Sequence, residues 1–398
     1  MTATEPAKQG ANTDIAAWQD PVPFEAEAQG LSFTFFPSGK DRLERLLGLI
    51  TGANRSLKLC FYIFANDDAG TSVRDALVEA ANRGVDVTLI VDGFGAGAED
   101  SFFEELANAG GRYSKFSPRW SQRYLIRNHQ KMVIADDETA MIGGFNVEHD
   151  YFAPPEENGW HDLGLTLKGD AVGGLVSWFD QLEQWTSNPK ANWRAMYRMI
   201  RQWDAGTGSV RWLIGGPTRG WSSWAKCVGQ DLQRGKRLDM MMAYFSPSPS
   251  LLRRIGRISK NGEARLVMAG KSDNGATLGA TRALYGYLLK RGAQVYEFQP
   301  CKLHAKMIVL DDAVYVGSAN FDMRSLFLNL ELVLRIEDKQ LADTMRAYLA
   351  KHVPVSEHIT AESHRRDATL GRRIKWAVSW FLVTVVDYTV TRRLNLGL

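Results

Sequence analysis

The chain has 398 residues, 45% of them hydrophobic, and a formal net charge of +3. That length suits two domains of ordinary size, with enough apolar side chains for two cores. The mild charge excludes a polycation of the histone kind, so basic character, where it matters, is local.

The opening MTATEPAKQGANTD has no apolar h-region, so no secretory signal is expected. Residues 1–30 read as a polar, flexible N-terminal extension. Leu57 to Phe64 (LKLCFYIF) then reads as a buried strand, with Cys60 as a buried free thiol. Helix-like DAGTSVRDALVEAANRG follows, and Val85 to Val91 is a second strand. The order recurs later: Arg237 to Phe245 is a strand, PSPSLLRRIGRISKNG a helix ending at Gly262, and Ala264 to Met268 a strand. Strand, crossover helix, strand implies parallel pairing in α/β layers. A first lobe over residues 31–190, a linker over 191–208, a second lobe over 209–350 and a basic, apolar helical tail over 351–398 follow from this repeat. The three cysteines are widely spaced, and no CxxC or HExxH pattern offers a zinc site, so no metal is expected.

Each lobe carries one copy of the same motif. The first is His129-Gln130-Lys131, four residues, Asp136, then Gly143-Gly144-Phe145-Asn146. The second is His304-Ala305-Lys306, four residues, Asp311, then Gly317-Ser318-Ala319-Asn320. A single HxK is noise; two with the same gap and the same G-x-x-N finish are not. Side chains alternate along a strand, so each histidine shares a face with its lysine while Asp136 and Asp311 face the other way. Those aspartates are therefore expected to brace strand ends or turns. Each motif is followed by a strand that begins with a carboxylate, Asp162 in WHDLGLTL and Glu331 in LNLELVLRI. These two carboxylates are expected to orient the histidines and stabilise their charge.

Two histidines, two lysines and two asparagines facing one site can cleave a phosphodiester without a cofactor. One histidine attacks phosphorus, and the other protonates the leaving alcohol and then deprotonates the acceptor. Lys131, Lys306, Asn146 and Asn320 can hold the non-bridging oxygens as charge develops.

The duplicated HxK(x)4D with G-[GS]-x-N resembles the phospholipase D superfamily. FYIFANDDAG, RGVDVTLIVDGFGA, AYFSPSPSLL, GKSD and Asn320-Phe-Asp-Met-Arg-Ser325 before Asn329-Leu-Glu331 are similar to bacterial cardiolipin synthases, over roughly residues 31–350. The resemblance implies an α/β fold of two similar phospholipase D-like lobes. Each lobe is a mixed sheet flanked by helices, related to the other by a pseudo-twofold, with the active site between them. It further implies ping-pong phosphatidyl transfer to phosphatidylglycerol or a similar alcohol, with His129 as nucleophile and His304 as acid and base. Hydrolysis to phosphatidic acid is the alternative, and a phosphodiesterase acting on nucleic acid is a weaker third. There are departures. Six residues separate Asp136 from Gly143 but five separate Asp311 from Gly317, Gly144 stands where the second copy has Ser318, and the two N-terminal membrane helices of the typical synthase are not expected from this sequence.

A lipid enzyme without spanning helices needs an interfacial surface, and a cytoplasmic protein held peripherally at the inner membrane is expected. Arg119, Trp120 and Arg123 before the first motif, the stretch Trp193 to Trp203 between the lobes, and Trp376 and Trp380 in the tail offer the aromatic and cationic mixture that bilayer interfaces favour.

Overall fold

The computed structural model describes residues 18–117, 126–188, 190, 192–218 and 220–386. Two eight-stranded mixed sheets organise the chain. In the first, Ser56–Phe61 pairs parallel with Asp86–Asp92 and antiparallel with Met132–Ala135. In the second, Arg237–Met242 pairs parallel with Glu263–Ala269 and antiparallel with Lys306–Leu310. The motif strand thus occupies the same place in both sheets, next to the strand that starts the parallel half.

The parallel pairs need crossover helices, and local chemistry starts and stops them. Asp67 accepts the Gly70 N–H at the head of Asp68–Asn82, and Gly84 beyond its end takes a positive φ of 90°. Ser248 caps Pro249–Asn261, with proline in the first turn where its missing N–H costs nothing. Strand alternation decides the layers. Leu57, Leu59 and Phe61 face a core under the helices Gly39–Gly52 and Asp68–Asn82. Cys60, on the other face, joins a core that also contains Met241, Met307, Val309 and Leu332 of the second lobe. Opposite sheet faces thus feed one apolar core running through both lobes, together with the helices Ala171–Ser187 and Lys339–Ala350. Trp178 in that core is fully buried, and a side chain of this kind contributes about 2–3 kcal/mol by leaving water.

Three segments that the sequence sets outside the two lobes carry regular structure that packs on them. Within residues 1–30, Phe24–Ala28 is an edge strand of the first sheet, and Asp20 is buried against His161 at 2.7 Å. The polar run FEAEA reads as disorder, yet its alternation turns Phe24, Ala26 and Ala28 inward and both glutamates outward. The linker contains a helix, Trp193–Gln202, whose Trp193, Met196 and Ile200 enter the shared core. Within the tail, Ser356–Ile359 pairs with Gln294–Phe298 as the edge of the second sheet.

Candidate active site

Both motif histidines lie just before a buried strand, at the seam between the lobes. The seam is stitched by backbone. His129 N–H donates to the Leu330 carbonyl at 2.9 Å, and Leu330 N–H donates back to Arg127. On the other side His304 N–H donates to the His161 carbonyl at 2.7 Å, and Lys302–Leu303 pairs with Trp160–His161. His161 and Leu330 each immediately precede a carboxylate, so each bridge delivers that carboxylate to the opposite lobe's histidine. Nδ1 of His129 faces Glu331 Oε2 at 3.0 Å, and Nδ1 of His304 faces Asp162 Oδ2 at 2.6 Å. With Nδ1–H committed to a carboxylate, Nε2 is the nitrogen of each ring turned away from it, and at His304 the Tyr151 hydroxyl lies 3.5 Å from that atom.

The lysines return to their own strand: Lys131 Nζ donates to the His129 carbonyl at 2.7 Å, and Lys306 Nζ to the His304 carbonyl. Lys306 also lies 2.9 Å from His304 Nδ1. Burial sets the protonation states. It lowers His129 to about 4 and His304 to about 3, with the neighbouring lysines pushing the same way. It lowers Lys131 to about 7 and Lys306 to about 8. Burial alone would raise Asp162, but His304, Lys306 and Arg42 overcome it and hold the carboxyl below its ordinary value. At neutral pH the site therefore holds two neutral imidazoles beside the Asp162 carboxylate and two buried lysines.

Asn146 Oδ1 accepts the Ile63 N–H at 3.1 Å, whereas Asn320 lines the cleft with His129. Asp136 accepts backbone N–H groups of Asn54, Arg55 and Ser56, and Asp311 those of Lys236 and Arg237. Both stand at hairpin turns with positive φ, 55° and 50°. The turns differ by one residue: Ala135 pairs with Thr139, but Leu310 pairs with Ala313. Gly143 packs against the Phe145 ring, and Gly317 takes a φ of 151° against the Leu332 carbonyl. The Gly144 and Ser318 difference has a steric cause. A Cβ on Gly144 would meet the Asp162 carboxylate at 2.7 Å, whereas Ser318 Oγ donates to Glu331 Oε2.

Several site residues carry no motif. Arg42 is fully buried and its guanidinium donates to the carbonyls of Pro37, Tyr151, Trp160 and Asp162, gathering the loops around Asp162. In sequence it is one more arginine on an amphipathic helix. Tyr151 and Trp160 set their ring edges against His304. A cleft of about 540 Å³ opens on His129 and is lined by Tyr62, Phe94, Tyr244, Asp322 and Arg324 among others; burial raises Asp322 to about 6.

Of the expected membrane contacts, the structure describes the two tail tryptophans and the stretch Trp193 to Trp203. Arg119, Trp120 and Arg123 lie outside the described residues. Trp376 stacks on His364, and Trp380 packs on the second-lobe core. Both tail tryptophans thus turn toward protein, because the helix that carries them rests on Gly275–Leu289 with that face. Trp203 likewise packs on Trp178 and donates to the Trp212 carbonyl.

The sequence matches the family described as "Cardiolipin synthase, PLD-like domain" over residues 46–181 and 230–353. It is 31% identical over 361 residues to the major cardiolipin synthase ClsA of Bacillus subtilis (strain 168), covering 87% of this chain and 74% of that protein. It is 27% identical to cardiolipin synthase 1 of Staphylococcus aureus (strain MRSA252), covering 83% and 69%. Among solved structures, the phosphatidylserine synthase of Haemophilus influenzae Rd KW20 has the same fold, with a TM-score of 0.72 at 14% identity over 93% of this chain and 96% of that one. The polyphosphate kinase of Porphyromonas gingivalis shares it at a TM-score of 0.58 and 15% identity, covering 93% and 53%.

Proposed function

Since the chain belongs to the family of phospholipase D-like cardiolipin synthases, we propose that it is a metal-independent phosphatidyltransferase, with phosphatidylglycerol or a related lipid as donor and an alcohol such as phosphatidylglycerol as acceptor. The observation that carries this reading is the exchange of carboxylates between lobes, which gives two oriented histidines, each near enough to the other motif's lysine to feel its charge.

In the first step Nε2 of His129 attacks phosphorus, and the bond from phosphorus to the leaving glycerol oxygen breaks. His304 supplies the proton that this oxygen needs. Burial favours neutral His304, and the negative charge of the entering phosphodiester favours its imidazolium beside Asp162. Lys131 and Lys306 hold the non-bridging oxygens, with Asn320 at the cleft. In the second step His304 takes the proton of the acceptor hydroxyl, whose oxygen attacks phosphorus and breaks the P–N bond. His129 is assigned the attack because its side chain is 13% exposed, against 5% for His304, and it lines the open cleft. The burial of His304, the acid and base, limits bulk water at the proton-transfer position, which favours transfer over hydrolysis to phosphatidic acid. Work on such lipids places the protein at a membrane surface as a peripheral enzyme; no described helix is long and apolar enough to cross one.

The test is purified protein with vesicles of labelled phosphatidylglycerol and EDTA, products resolved by mass spectrometry. Cardiolipin and glycerol are expected. Phosphatidic acid alone would make the protein a hydrolase, and no turnover would overturn the choice of donor.

A further inference from the structure

The helix Leu370–Phe381 has two unlike sides. Its inner side packs on Gly275–Leu289, closely enough that a Cβ on Gly279 would meet Ser379 Oγ at 2.6 Å. Its outer side carries Leu370, Ile374, Val378 and Phe381, and Leu382 follows; all five are between 48% and 77% exposed. At about 100° per residue they fall on one arc of about 120°. Lys375 borders that arc on one edge and Arg373 on the other, both exposed. This inverts the usual surface helix, whose apolar stripe faces the core.

The stripe leads to the cleft. Leu382 and Val383 line the same cavity as His129 and Tyr62. Phe94 of the first lobe lines it too, 68% exposed, with the Arg127 guanidinium 3.6 Å from its ring centre. Exposed apolar surface therefore runs from the outer side of the tail helix to the mouth of the reaction site.

We propose that this face, Leu370, Ile374, Val378, Phe381 and Leu382 with Phe94 beside it, docks on an anionic lipid bilayer and sets the cleft mouth at headgroup level. The inference rests on the phospholipid reading of the site and adds the surface that meets the membrane. Two observations choose a bilayer over a second copy of the chain. Lys375 and Arg373 flank the stripe where anionic headgroups would lie. The stripe also ends in the cleft itself, where a bilayer would present substrate but a protein partner would cover the opening. The helix continues as a π-helix through Leu382–Val386, and no described helix is long and apolar enough to cross a membrane, so the proposed contact lies in the interface. The tail tryptophans, turned toward protein, are not the anchors; the exposed leucine, isoleucine, valine and phenylalanine side chains are.

The experiment compares the parent with Ile374→Asp/Val378→Asp. Co-sedimentation uses vesicles of phosphatidylglycerol and phosphatidylcholine, turnover uses vesicle phosphatidylglycerol and a soluble short-chain phosphatidylglycerol, and light scattering gives the oligomeric state. At least a tenfold loss of vesicle partitioning is expected, with vesicle turnover falling in parallel and short-chain turnover within about twofold of the parent. Leu370→Asp, in the exposed first turn, serves as an independent variant if the pair unfolds the helix. Unchanged partitioning overturns the proposal, as does a dimeric parent that the substitutions turn into a monomer. Tight vesicle binding lost in the variants, with no turnover by either protein, would sustain the docking face and overturn only the phosphatidyl-transfer reading.

Discussion

Glu331, on the second lobe, accepts the Nδ1–H of His129, on the first, across 202 residues of chain at 3.0 Å. Asp162 does the reverse for His304. Neither lobe alone therefore holds a complete histidine and carboxylate pair; each pair is completed only at the seam.

Replacing Glu331 by Gln keeps the size of the side chain and removes the charge that steadies an imidazolium at His129. Turnover should fall by about 10²–10⁴-fold with little change in fold, by the precedent of carboxylates that orient catalytic histidines. Steady-state kinetics with circular dichroism would check this, and a variant within threefold of the parent would remove Glu331 from the mechanism.

His129→Ala should abolish a covalent phosphatidyl adduct. His304→Ala should still form one from a donor whose leaving group needs no proton, then stall. Acid-quenched mass spectrometry of both variants distinguishes them, and an adduct in His129→Ala would exchange the two roles.

The lysines predict an alkaline limit. Burial lowers Lys131 to about 7 and Lys306 to about 8, so raising pH through that range removes positive charge from around the phosphate. kcat/KM should fall there, and Lys131→Arg, which stays charged, should move the limit upward at a lower maximal rate. Stability behaves oppositely. Folded lysine pKa values lie below the unfolded 10.5, so the unfolded chain binds more protons between about pH 7 and 10.5, and these two groups make stability rise with pH in that window. His129, lowered to about 4, gives the same sign between about 4 and 6.5. Thermal melts of His129→Asn should therefore lose less stability than the parent as pH falls from 6.5 to 4.

Asp136→Ala strands the backbone N–H groups of Asn54, Arg55 and Ser56, where the chain enters the neighbouring strand, while leaving the histidine pair untouched. A loss of about 1–2 kcal/mol in denaturant unfolding, with turnover per folded molecule within about twofold, is the expected pattern. A turnover loss as large as that of Glu331→Gln would show that Asp136 acts on the chemistry.

Gly144→Ser should cost far more activity than Ser318→Gly, although each merely copies the other motif. A side chain at Gly144 drives into Asp162, whereas removing Ser318 Oγ takes away one of two donors to Glu331 Oε2. Equal losses would count against this steric account.

The motif itself was legible because it is local. An HxK on a strand places histidine and lysine on one side whatever the rest of the chain does, and the aspartate five positions beyond the lysine falls on the other. The repeated strand, helix and strand were legible for the same reason, since capping residues and alternation act within a few positions. Asp162 and Glu331 stood out as carboxylates at strand starts, but no local signal says which histidine each one meets. That choice belongs to the shared core, which draws Leu330 to His129 and His161 to His304 and so exchanges the carboxylates between lobes. Arg42 at the loops behind Asp162, the inward turn of Trp376 and Trp380, and the outward stripe from Leu370 to Leu382 were settled in the same way. Composition states that a helix has an apolar side; only the packing of that helix on a neighbour decides which side is left for the solvent or for a membrane.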